Sequence, residues 1–268
     1  MARRTFWLAG LLLAAGCAHG PAVFQDPIGD DDGPGKYLYP TDPVYKPGSF
    51  DLTELRVSET EGKVTFAVSV NSDLEDPWSM PAPAAFSVQM AFIHIQTEKG
   101  GRGGFTKGLP GTNVQFVPED AWNKVVILSP QPAGRVRAEA KQKAGDLAAS
   151  IVVPAQTVGK GRTISATVDK KDLGEGDVAR WGYQVVMESN EGFPDKTDLL
   201  TRKVNEYEGQ HRFGGGNDGD CDPHVIDVLA GKAAGGKSEI EEQHRMLAYE
   251  CNADGTAKKL ATLKMVRK

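Results

Sequence analysis

The chain has 268 residues, 40% hydrophobic and 25% charged, with a formal net charge of −5. That is ordinary globular composition, enough for one large domain or two small ones, and its mildly acidic balance argues against a nucleic-acid surface, which needs a basic patch. With 31 Gly and 16 Pro, a loop-rich, β-containing fold is favoured over a helix bundle.

At the N-terminus Arg3 and Arg4 precede an apolar run, Phe6 to Ala15, too short to span a hydrocarbon core of about 30 Å. The run leads into Leu13-Ala14-Ala15-Gly16-Cys17, which resembles a bacterial lipobox. It predicts a signal over 1–17 with lipidation at Cys17; the alternative is a plain secretory signal with a chance cysteine. Stable attachment takes more than one acyl chain. Ala18 after the cysteine, in place of Asp, points to the outer membrane. Residues 18–25 read as a tether, and 26–268 as one domain with no internal repeat.

The domain opens on "DPIGDDDGPGKYLYPTDPVYKPGSFDL", residues 26–52. It is too rich in Pro and Gly for a regular element, and too rich in aromatics for a linker. The turn chemistry predicts Gly33-Pro34-Gly35 reversing the chain, a short edge strand at Tyr37 to Tyr39 ended by Pro40, and a second turn at Pro47-Gly48. Strict alternation in 63–70 predicts a half-buried strand, and "FSVQMAFIHIQ" (86–96) a central one. Further strands are expected at 123–129, 135–142, 148–154, 162–169 and 180–189, with turn signals between them. Residues 169–174 can form one helical turn. "SEIEEQHRMLAYE" (238–250) predicts a helix with Ser238 as N-cap and Glu241 completing a capping box. A last strand is expected at 259–266. Together these predict a mainly β chain, an antiparallel β-sandwich with a short C-terminal helix.

"GKAAGGKS" (231–238) matches a phosphate-binding loop, but the parallel sheet and downstream βα units such a fold requires are missing, so a Gly-rich turn into a capped helix is the better reading. There is no Gly-x-Ser-x-Gly, His-Glu-x-x-His or Cys-x-x-Cys, and no spacing picks out a carboxylate pair for glycoside cleavage. His94 reads as a core or rim residue. Setting Cys17 aside leaves Cys221 and Cys251, which in an exported chain read as one disulfide. Closing a loop of this length contributes roughly 3.5–4 kcal/mol by chain entropy.

Two acidic clusters stand out: Asp26, Asp30, Asp31 and Asp32, then Asp218, Asp220 and Asp222 beside Asn217. Hard oxygen ligands alternating with Gly suit Ca²⁺; the competing reading is solvated acidic turns. His211 and His224 flank the second cluster. Among the tryptophans, Trp78 in "EDPWSMPAP" is expected at the surface, as a platform for a sugar ring, and Trp122 and Trp181 in the core. Phe193 in "NEGFPDK" is a second platform, with Asn190, Glu191 and Asp195 as polar partners on the same loop. The long stretch 191–224 has little periodicity, as functional or clamped loops do.

The opening stretch through Val57, together with "GLPGTNVQFVPEDAWNKVVIL" (108–128), "WGYQVVMES" (181–189) and "RFGGGNDGDCDPHVIDVL" (212–229), resembles the glucodextranase C-terminal domain family over nearly the whole chain after the signal. The resemblance implies a β-sandwich similar to DOMON-type and family-nine carbohydrate-binding modules. It also implies a binding role, toward glucan or cell surface, and no catalysis. In that family the module trails a large hydrolase, whereas here it follows a lipobox, and the cysteine pair is not expected of the family at large. The reading is therefore an outer-membrane lipoprotein, monomeric, that binds α-glucan or envelope polysaccharide, with a structural envelope protein or an unrecognised hydrolase as alternatives.

Overall fold

The computed structural model describes residues 20–98, 100–231 and 234–268. The lipobox and Cys17 lie outside these residues. The strands, in chain order, are β1 (Ala22–Gln25), β2 (Leu52–Thr60), β3 (Lys63–Val70), β4 (Gln89–Gln96), β5 (Val114–Phe116), β6 (Lys124–Leu128), β7 (Ile151–Val152), β8 (Thr157–Lys160), β9 (Thr163–Asp169), β10 (Gly182–Ser189), β11 (Asp227–Val228), β12 (Glu250–Cys251), β13 (Ala257–Lys259) and β14 (Ala261–Leu263). Two α-helices, α1 (Ala133–Lys143) and α2 (Glu239–Met246), flank them.

Ten of the strands form two five-stranded sheets, ordered β1-β2-β3-β9-β8 and β11-β10-β4-β6-β7. Alternation explains how they stack. In β3, Val64, Phe66, Val68 and Val70 are buried, while the residues between them are exposed or half-buried. They meet Ala91, Ile93 and Ile95 of β4 and Tyr183, Val185 and Met187 of β10 in the core between the sheets. The opposite parity of β4, Met90 and Phe92, enters a second core with Val136 and Ala140 of α1, Met246 of α2, and Trp122. The second sheet is thus covered on both faces, which is why β4 reads as apolar throughout. Trp122 and Trp181 are both core residues, as expected.

Several expectations change. Residues 135–142 are helix α1, not a strand. The alternation of Val136, Ala138 and Ala140 with charges imitates period 2, but Ala, Arg, Lys, Glu and Gln are strong helix formers, and the buried pair is Val136 and Ala140, at helical spacing. Ala22–Gln25, expected in the tether, is strand β1, paired antiparallel to β2 from Ala22↔Val57 to Gln25↔Glu54. Residues 148–154 give a 3-10 turn and the two-residue β7. Tyr37 to Tyr39 contributes only the bridge Leu38↔Gly214. The predicted strand at 259–266 is split: Ala257–Lys259 pairs with β12, Ala261–Leu263 with β5, and Val266 bridges Tyr183. The helical turn at Lys170–Asp172 and the capped C-terminal helix form as expected, with Ser238 and Glu241 making both capping-box bonds.

The opening segment and the long 191–224 stretch fold against each other. Tyr37, Tyr45 and Phe50 share a third core with Val88, Val204, Phe213 and Ile226. The Phe50 and Phe213 rings meet edge to face with centroids 5.1 Å apart. The long stretch is clamped by the bridges Asn190↔Thr201 and Leu38↔Gly214 and by the Cys221–Cys251 disulfide, with Cα atoms 5.5 Å apart.

Candidate functional site

The first acidic cluster sits where the chain leaves β1. The N–H of Asp26 donates to the Thr53 carbonyl, and those of Gly35, Lys36 and Tyr37 all converge on the Asp32 carbonyl. This tight turn needs Gly33, whose φ is +62° and where any Cβ would collide with the Tyr37 ring. The turn sends the four aspartates in different directions. Asp31 accepts the Tyr39 hydroxyl, and Asp32 pairs with Nε2 of His244 on α2 at 3.1 Å. Asp26 and Asp30 turn inward, where they meet Asp227 of β11. Asp51 lies beside them, and all four are buried. Burial, then the neighbouring Asp51 charge, raises Asp30 to about 7. Burial and the Asp31 charge raise Asp51 to about 6, and burial pushes Asp26 and Asp227 well up.

The second cluster does not join the first. The Asp218 carboxylate accepts the Glu206 N–H at 3.0 Å, and the Asn217 side chain accepts the Gly219 N–H at 2.7 Å. The Val204 N–H donates to Nδ1 of His224, so the proton of a neutral imidazole sits on Nε2, 3.0 Å from Oδ1 of Asp220. The Lys203 ammonium reaches Asp195, Asp198 and Asp220 at 3.3, 3.7 and 3.2 Å. The bond from His224 and the Lys203 charge hold Asp220 below the usual carboxylate range. Asp222 is fully buried, and burial raises it. This cluster therefore carries its own cation, Lys203, and Asp195 belongs to it as well as to the 190–198 loop.

The aromatic candidates lie on a third region. Trp78 is 36% exposed. Its loop is fixed by the Trp78 N–H on the Ser87 hydroxyl and by Asp76, which accepts the Met80 N–H and the Ser87 hydroxyl. The indole stands edge-on to Tyr45 and His211, with centroids 6.3 and 6.1 Å away, and the Arg202 guanidinium lies 6.0 Å from its ring centroid. Arg202 pairs with Glu191 at 3.0 Å. Backbone pairing brings the two together: the Glu191 N–H donates to Leu200 and that of Arg202 to Ser189. The Glu191 carboxylate also accepts the Phe193 N–H, and Phe193 is 95% exposed.

Trp78 and Glu191 are thus linked through Arg202, while Phe193 is held at the tip of the same loop. Asn190 stands apart: it is buried, donates to the Ser87 carbonyl and accepts from Gln131, so its amide serves the interior. Reading the sequence missed Arg202, Tyr45 and His211 on this face. Nothing local marks them, because the contacts join the opening segment, the Trp78 loop and residues 202–211.

A family model described as the C-terminal binding-module, SLH-like, of glucodextranase matches residues 22–266. The chain belongs to that family. The matched span starts at the first residue of β1 and ends at Val266, which bridges β10, so the glucodextranase-type module and the sandwich are the same unit. No curated protein matches the chain. Among the described residues, no helix of the module is long and apolar enough to cross a membrane.

Proposed function

We propose that this module binds a glycan, either an α-glucan or a polysaccharide of the cell envelope, without transforming it, and does so from the outer membrane by a lipid on Cys17. Membership of a binding-module family supports a binding role over a hydrolytic one. The observation that carries the site is the partly exposed Trp78 indole, packed against both Tyr45 and His211 with the Arg202–Glu191 pair beside it. A ring already packed against two neighbours keeps an apolar surface in place at low entropic cost. A guanidinium and a carboxylate next to it offer donors and acceptors to ring hydroxyls, which is the combination sugar sites use. Phe193, 95% exposed on the loop that carries Glu191, offers a second apolar surface.

The test is co-sedimentation with an insoluble α-glucan and with isolated cell envelopes. Trp78→Ala is expected to lose retention. Val158→Ala, equally exposed at 36% on edge strand β8, is expected to keep it. Full retention of the Trp78 variant on both matrices would contradict the site. The anchor is tested separately by Cys17→Ala, which should move the protein from membrane to soluble fractions; an unchanged membrane fraction would contradict it.

A further inference from the structure

We propose that Asp26, Asp30 and Asp227, with Asp51 beside them, form a buried calcium site that staples the two sheets together at their β1 and β11 edges. The inference is independent of the glycan reading, since none of these residues touches the Trp78 face.

The four carboxylates come from three places in the chain: the turn after β1, the residue before β2, and β11. Asp30 and Asp227 have no exposed surface, Asp51 has 1% and Asp26 has 8%. One oxygen from each of Asp26, Asp30 and Asp227 lies within 4.8 Å of the others. Oxygens bound to one Ca²⁺ at 2.3–2.6 Å can be at most about 5 Å apart, so this spacing is compatible with one shared ion.

The hydrogen bonds show how the oxygens are divided. Oδ1 of Asp26 accepts the Ala230 N–H at 3.1 Å, and Oδ2 of Asp227 accepts the Leu52 N–H at 2.6 Å. Oδ2 of Asp51 accepts the Gly29 N–H and the Asn71 amide at 2.9 and 3.0 Å. In each case the other oxygen, Oδ2 of Asp26, Oδ1 of Asp227 and Oδ1 of Asp51, has no hydrogen-bond partner, and neither oxygen of Asp30 has one. One oxygen held by the backbone and one left free is how an outer shell orients metal ligands.

Buried carboxylates this close repel one another and are costly to desolvate without a counter-charge. Among the described residues, no Lys, Arg or His nitrogen lies within 4.0 Å of any of the four, whereas the second acidic cluster has Lys203. The donor set is all oxygen and strongly anionic, which selects a hard cation. Several carboxylates in one dry site suit calcium better than magnesium, which keeps much of its water, and the absence of nitrogen or sulfur donors disfavours zinc.

The ion would join the two edge strands, β1 of one sheet and β11 of the other, and fix the opening turn onto the sandwich. The test uses the full chain stripped with a chelator and then titrated with Ca²⁺ by calorimetry and thermal melting. The expected result is one Ca²⁺ per chain and a melting temperature higher by about 5–10 °C at saturating ion. Asp30→Asn and Asp227→Asn are expected to abolish both the binding and the shift. In metal-free buffer they should melt no lower than the stripped wild type, because each replaces a buried carboxyl that has no cationic partner with a neutral group of the same shape. Asp220→Asn should leave the calcium response intact. Lack of response of the wild-type chain to chelator and Ca²⁺ would overturn the site whether or not the variants fold. So would calcium binding that survives both substitutions. An equal response to Mg²⁺ would overturn the assignment to calcium.

Discussion

His94 shows what the double-sided sheet does to a single polar residue. It sits in the middle of β4, packed between Phe116 and Trp122 with ring centroids 4.8 and 5.3 Å away. Burial drops it from its ordinary 6.5 to about 3, against a weaker opposing pull from the Phe92 backbone. The folded chain keeps this imidazole neutral while the unfolded chain takes up a proton below about 6.5. Its contribution to stability is therefore complete above that pH and is lost as pH falls toward about 3. His94→Leu removes this loss. Scanning calorimetry should show a smaller fall in melting temperature between about pH 7 and about pH 5 for the variant than for wild type. Equal falls would mean that His94 finds a proton or a partner in the fold.

Single residues also show where the sequence was silent. Asp30, Asp31 and Asp32 are neighbours in the chain, and reading along it groups them. The turn at Gly33 separates them, to the carboxylate cluster, to Tyr39 and to His244. Asp227 and Asp51 were not marked at all, because their pairing with Asp26 is set by how β1, β2 and β11 come together. Arg202 was hidden for the same reason. Trp78 was legible as an exposed aromatic from its proline-flanked loop, but not the fact that its ring is held by Tyr45 and His211.

Among the elements, those with strong local signals were legible: the alternating β3, the capping box of α2, the single turn after β9. Helix α1 was not, because a surface helix of small and charged residues carries only a short apolar stripe, here Val136 and Ala140. The C-terminal strands were blurred because β12, β13 and β14 are two or three residues each. The disulfide acts at this scale. It ties the 217–222 loop, through Cys221, to the short β12 hairpin, through Cys251, in a part of the chain with little regular structure. The Cys221→Ala, Cys251→Ala double variant is expected to lose about 2–4 kcal/mol in urea unfolding relative to the oxidised wild type. A midpoint unchanged beyond error would mean that the third core, around Tyr37, Phe50 and Phe213, already fixes this loop.

For the whole molecule, the two packed sheets are the frame on which the opening segment and the long 191–224 stretch fold. The opening segment, so rich in Asp, Pro and Gly, supplies parts of both features argued for above: Tyr45 to the aromatic face, and Asp26, Asp30 and Asp51 to the buried cluster. The burial of the tryptophans gives the most direct test of the binding face. Trp122 and Trp181 are 0% and 2% exposed, so among the described residues Trp78 is the tryptophan whose emission can report on a ligand at the surface. The deciding measurement is a fluorescence titration with soluble α-glucan oligosaccharides and with solubilised envelope polysaccharide. A saturable change in tryptophan emission is expected for wild type with one of the two ligands, and its loss in Trp78→Phe. Emission that does not respond to either ligand, or a response that persists in Trp78→Phe, would contradict glycan binding at this face.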